Sequence, residues 1–198
     1  MSNLAGYTYD DATLAPSPVT LDDLAELQAS VLWTDADAAA LRAAATILEP
    51  QTDAILDVWY GFVGSNPHLV ATFAGPDGQP DGDYLAAVRG RFGQWIADLC
   101  RRDHDEAWLA YQDEIARRHH PSGKNRTDGI DSASTHIPLR HLLGLVVPIT
   151  VTIRDFLAQG VRDGVTDEAG VEQMYQAWFK AVTLSVALWA RPYSPDLW

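Results

Sequence analysis

Two adjacent histidines, His119 and His120, close the stretch WLAYQDEIARRHH, and Pro121 and Gly123 follow them. Imidazole is the commonest protein ligand for metals. A pair of cations at a helix end would also complement the helix dipole. The stretch reads as a helix that stops at Pro121. A helix turns about 100° per residue, so phase separates the two rings. With Trp108 at zero, Tyr111 falls at about −60°, Gln112 at about 40° and Ile115 at about −20°. His119 lands at about 20° and His120 at about 120°. His119 therefore shares the face of Trp108, Tyr111 and Ile115, whereas His120 points to the side.

An imidazole on an apolar face needs a partner, because its nitrogens cost free energy if buried unpaired. Two readings stay open on this basis: a structural histidine with satisfied hydrogen bonds, or a ligand. No HxxxH, no HxxE on that face and no CxxC accompanies His119 to hold a bare ion. One inward histidine among inward aromatics suits haem iron better. Trp59, Phe62, Phe73, Phe92 and Trp95 would line such a flat apolar group, and each alone also reads as ordinary core. The other histidines carry plainer expectations. His68 follows Asn66-Pro67 in a corner and should bond locally. His104, in RRDHDE, should be solvated. His136 precedes a helix, and His141 should face core or a partner.

The elements that must position these residues are helical. Thr20 with Asp23, and Thr34 later, are helix starts of the capping type. Pro50 sits between two helices or within a bent one, and 66–83 is a corner with a Gly/Pro/Asp loop. Leu85, Val88, Phe92, Trp95, Ile96 and Leu99 recur at helical spacing. The segment 121–135 is a loop. An apolar helix follows that Pro148 should kink, and Pro192 stops a long closing helix. No strand alternation, internal repeat or linker interrupts the pattern. The expected fold is one all-α domain of seven or eight helices.

The chain has 198 residues, 47% hydrophobic, with a formal net charge of −13. Such an acidic surface disfavours nucleic acid and anionic membrane as partners. No segment reads as apolar and uncharged for long enough to span a bilayer. The N-terminal residues carry no signal-peptide pattern, and Cys100 is the only cysteine. Together these point to a cytoplasmic protein.

Five stretches together resemble the protoglobins, single-domain relatives of the haem domain of globin-coupled sensors. They are ILDVWYGFVGSNPHL, YLAAVRGRFGQWI, AWLAYQDEIARRHH, VPIT and MYQAWFKAVTLSVALWARPY, and the likeness runs from about Gly6 to Tyr193. It implies a globin fold with an additional N-terminal helix. Residues 1–19 would be an N-terminal extension that wraps a haem b held in 20–198. It makes His119 the proximal iron ligand, the residue that helical phase selects. Trp59 and Tyr60 match distal positions, where tyrosine can donate a hydrogen bond to oxygen. Phe92 matches a distal pocket residue. Val88 stands where ordinary globins carry a distal histidine, which this family also lacks. Phe73 matches a corner aromatic packed on the haem. Leu145 and Ile149 match residues closing the pocket, and some relatives carry an aromatic at the Leu145 position. Arg91 resembles a propionate partner, with a solvated surface arginine as the other reading.

The resemblance implies a haem protein binding O₂, CO or NO, as a sensor or scavenger. The alternative is a haem enzyme, an NO dioxygenase or peroxidase-like, needing an external reductant; no distal His/Arg pair suited to peroxide cleavage is evident. In the closing helix, Val171, Met174, Tyr175, Trp178, Val182, Val186 and Trp189 make one apolar stripe, and Ala177, Ala181, Leu184 and Leu188 make a second. A helix with only one buried face would not need both. The stretch LLGLVVPITVTI is likewise apolar around much of its circumference, so both helices should bury a second face against a partner unless the N-terminal helix covers the second stripe within one chain. The expected arrangement is a homodimer through the two C-terminal helices, as the resemblance also implies.

Overall fold

Thr20 and Thr34 begin the first two helices as their side chains dictate. In the computed structural model, which describes residues 4–130 and 134–198, α1 is Leu21–Ser30 and α2 is Asp35–Leu48. The Thr20 side chain accepts from the Asp23 N–H, and the Asp23 carboxylate accepts from the Thr20 N–H, which satisfies donors that a helix start leaves open. The Asp37 carboxylate does the same for the Thr34 N–H and also takes the Lys180 ammonium at 2.8 Å. One side chain thus caps α2 and ties it to the last helix.

Pro50 lies in a short 3₁₀ turn, Glu49–Gln51, between α2 and α3 (Thr52–Gly64). A single-turn helix α4 (Pro67–Val70) and another 3₁₀ turn form the corner. Asp81 caps α5 (Gly82–Arg101), and Asp105 caps α6 (Glu106–His119). Then come α7 (Leu139–Leu157), the single turn α8 (Gln159–Arg162) and α9 (Glu168–Ala190). The expected loop at 121–135 falls partly on 131–133, which lie outside the described residues. The fold is all-α, 69% helical, with no strand among the described residues. α7 continues through Pro148, and Thr152 returns its hydroxyl to the Pro148 carbonyl.

Buried residues of α9 form the centre of the core. Trp178 and Leu184 are fully enclosed, and α9 packs against α2, α6 and α7. Ala177, Ala181, Leu184 and Leu188, read as a partner-facing stripe, are all buried within this one chain. The inference of a dimer from that stripe is therefore corrected: it is covered within the chain, where α9 packs against α2, α6 and α7.

The remaining apolar exposure is on α7, where Leu143, Val147 and Val151 are 54%, 63% and 60% exposed. The expectation that no segment is apolar and long enough to span a membrane also needs correction. Residues Leu139–Arg162 pass by length and composition, and only 22% of their most apolar window is buried. The reason is placement: Arg140 lies at one end and Arg154, Asp155 and Arg162 toward the other, leaving 141–153 without formal charge.

Candidate functional site

His119 closes α6 with its ring fixed by two contacts. Its Nδ1 lies 2.8 Å from the Ile115 carbonyl, which can only accept, so Nδ1 carries the proton. The ring stacks on Trp189 at 5.3 Å between centres and 17° between planes. The Trp189 indole is in turn held by its N–H, which donates to buried Gln112 at 2.8 Å. The backbone is pinned as well. The His119 carbonyl accepts from the Ile137 N–H at 2.8 Å, and the Tyr193 hydroxyl sits 2.7 Å from it and 2.6 Å from the Ile137 carbonyl. Burial holds the His119 pKa below its ordinary value, so the neutral ring keeps a lone pair on Nε2. His120 takes a different course: its Nδ1 meets Ser122, and its ring packs edge-on against Tyr193.

His119 lines a cavity of about 240 Å³. The pocket residues implied by the resemblance reach this cavity: Trp59 and Tyr60 from α3, Phe73 from the corner, Val88, Arg91 and Phe92 from α5, and Leu145 and Ile149 from α7. Aromatics shape the wall. Trp59 meets Phe92 edge-on at 5.4 Å, and Phe92 packs against Trp95 at 5.5 Å. Phe62, the remaining aromatic of the initial set, packs on Trp59 but is 38% exposed and does not line the cavity.

Polar groups are few. The Tyr60 hydroxyl has no hydrogen bond among the described residues, and burial pushes its pKa up to about 12, so it remains a proton donor. Arg89 lies over the Tyr60 ring, 5.7 Å from its centre. The Trp95 indole N–H is buried with no partner among the described residues. Neither hydroxyl nor indole is spent on the fold.

One rim of the cavity is charged. Arg91 forms a two-pronged pair with Asp128 at 2.9 and 2.7 Å and donates to the Ala5 carbonyl. Its side chain is only 10% exposed, so the reading of a solvated surface arginine is corrected. The sequence spacing of 37 residues gave no sign of Asp128. Lys124 lines the same rim, 6% exposed, and burial lowers its pKa to about 8.

The N-terminal segment is strapped here: the Tyr7 hydroxyl donates to Asp98 at 2.8 Å, and Arg118 donates to Thr8 at 3.2 Å. Gly6 has φ +74°, and a Cβ on it would lie 2.6 Å from Thr127 and 2.7 Å from Arg91. Only glycine passes there. Sequence reasoning missed Gln112, Trp189 and Tyr193 as supports of His119. Gln112 shares the His119 face by phase, which was the available signal; the other two come from 70 or more positions downstream.

The donor set fits a haem. One neutral imidazole has one nitrogen tied to the protein and the other free, the walls are apolar and aromatic, unspent donors remain inside, and cations line one rim. No group of three or more His, Cys, Asp or Glu side chains that could hold a bare ion occurs among the described residues. No curated protein matches the chain. Over residues 20–198 the sequence matches the family described as Protoglobin, so the chain belongs to the protoglobin family, and with it to the globin-type haem proteins that bind gases.

Proposed function

We propose that this chain binds O₂, CO or NO at haem b, with His119 as the protein ligand to iron, and acts as a sensor or scavenger of such gases. The observation that carries this reading is the state of His119. Its Nδ1–H is spent on Ile115, its ring is stacked on Trp189, and its Nε2 is left as an acceptor on a cavity-lining ring. Haem supplies an iron centre with an open position for a diatomic ligand. Tyr60 holds a proton at its hydroxyl, available to a gas that gains negative charge. Trp59 and Phe92 exclude water, and Val88 offers no competing donor. Arg91, within its pair with Asp128, and Lys124 set positive charge at one rim, where haem carboxylates would be drawn. A reducing cytoplasm suits the single buried Cys100, whose thiol burial pushes up to about 12.

The test is spectroscopic. His119→Ala should lose the five-coordinate ferrous spectrum and most of the bound haem, while His120→Ala keeps both. A normal spectrum in His119→Ala would overturn the assignment.

The reading includes a two-fold dimer, supported by the apolar α7 and no longer by the second stripe of α9. Leu143, Val147 and Val151 recur every fourth residue and stay exposed, with Phe179 of α9 45% exposed. Sedimentation equilibrium at micromolar concentration should give twice the chain mass. Val147→Asp, on the surface of the single chain, should give the monomer without unfolding. A wild-type monomer would refute the dimer.

A further inference from the structure

His68 on α4 and His141 on α7 lie 73 positions apart in sequence, yet their ring centres are 5.1 Å apart with 40° between planes. Neither ring has a hydrogen bond among the described residues, so the expected local bond of His68 is not formed there. We propose that His68 and His141 form a two-imidazole site for a divalent transition-metal ion such as Zn²⁺ or Cu²⁺, water completing its coordination.

The spacing supports this. Zn–N bonds to imidazole are about 2.0–2.1 Å, which puts each ring centre about 3.2 Å from the ion. At a tetrahedral angle, two such centres lie about 5.2 Å apart. Both rings reach solvent, so an ion has an entry path. Arg140, beside His141 in the chain, opposes a bound cation, which makes this a site of moderate affinity.

The location gives the ion a consequence. Leu69 and Leu142, the next residues after the two histidines, are buried and line the main cavity. An ion held by both rings fastens the corner helix α4 to the start of α7 across one cavity wall. Occupancy then restrains the corner that carries Phe73. The site uses no atom of His119 and stands whether or not that residue holds iron.

Calorimetric titration of the purified full chain with ZnCl₂ at neutral pH should show one site. His68→Ala and His141→Ala should each weaken it at least about tenfold, with unchanged far-UV circular dichroism. His120→Ala and His136→Ala should leave it intact. Cu²⁺ should bind more tightly than Zn²⁺, with two nitrogen couplings in its electron paramagnetic resonance spectrum. Zn²⁺ should slow amide hydrogen exchange across 67–73 in the wild type and not in His68→Ala. Zn²⁺ affinity unchanged in His68→Ala would overturn the site. Unchanged exchange at saturating Zn²⁺ would overturn the fastening.

Discussion

Both ends of α6 set an imidazole against tryptophan, and the two sites divide sharply in what they leave unused. At the start, His104 lies between Trp33 at 4.8 Å and Trp108 at 4.1 Å. Its Nδ1 accepts from the Gln28 amide at 3.0 Å, so its Nε2 carries the proton. At the end, His119 has the opposite tautomer, with Nδ1 donating to Ile115 and Nε2 left with the lone pair. Burial lowers the pKa of both rings. A depressed pKa and an aromatic neighbour therefore do not mark a ligand. The mark is a neutral ring whose remaining nitrogen is an acceptor, on the wall of a cavity large enough for a partner. His104 also lines a pocket, of about 270 Å³, but it has no free acceptor to offer there.

That contrast can be broken most forcefully at Trp108. It is 1% exposed, and Trp108→Ala should cost about 3–5 kcal/mol of stability, read from denaturant unfolding. The native fraction should still give the His119 spectrum. If it lost that spectrum while folded, the two ends of the helix would be one coupled site.

A smaller effect separates the rings by pH. The folded-state pKa of His104, about 4, lies below its ordinary 6.5. Between these values the unfolded chain binds a proton that the folded chain does not. The stabilisation is fully present above pH 6.5 and is lost as pH falls toward 4. It should amount to about 1–3 kcal/mol. His104→Gln should flatten the stability profile over that window. An unchanged slope would mean that His104 is not the titrating group; His119 is shifted in the same direction.

The smallest change probes the cavity itself. Tyr60→Phe removes a hydroxyl whose hydrogen bond to a bound gas is worth about 0.5–1.5 kcal/mol. Oxygen should leave roughly threefold to tenfold faster, and CO, with less negative charge on its outer atom, should change less. Equal changes for both gases would point to altered access past Trp59 and Phe92.

Much of this was legible in the sequence, for local reasons. Thr20 with Asp23 encodes a cap within four residues, and the phase of His119 needs only its own helix. What escaped depends on distant chain. RRDHDE reads as a solvated turn, yet Trp33, from 71 positions upstream, folds over His104 and closes it against Trp108. Leu184 reads as partner-facing because helical phase reports that a face is apolar, not what covers it. Arg91 was ambiguous because its answer, Asp128, sits in a loop with no periodicity to betray it. Only the resemblance implied that residues 1–19 wrap the domain, and nothing in their own pattern foretold that the Tyr7 hydroxyl would reach Asp98.

The pinning of His119 from downstream bears on the order in which the molecule is made. Synthesis delivers the N-terminal residues first, so α6 and its histidine emerge while Trp189 and Tyr193 have yet to be added. Until then the Ile115 carbonyl can hold Nδ1, but the indole that fixes the ring plane and the hydroxyl that joins His119 to Ile137 do not exist. A residue in the middle of the gene is thus among the last to be fixed in the protein. The site matures only once translation has passed residue 193.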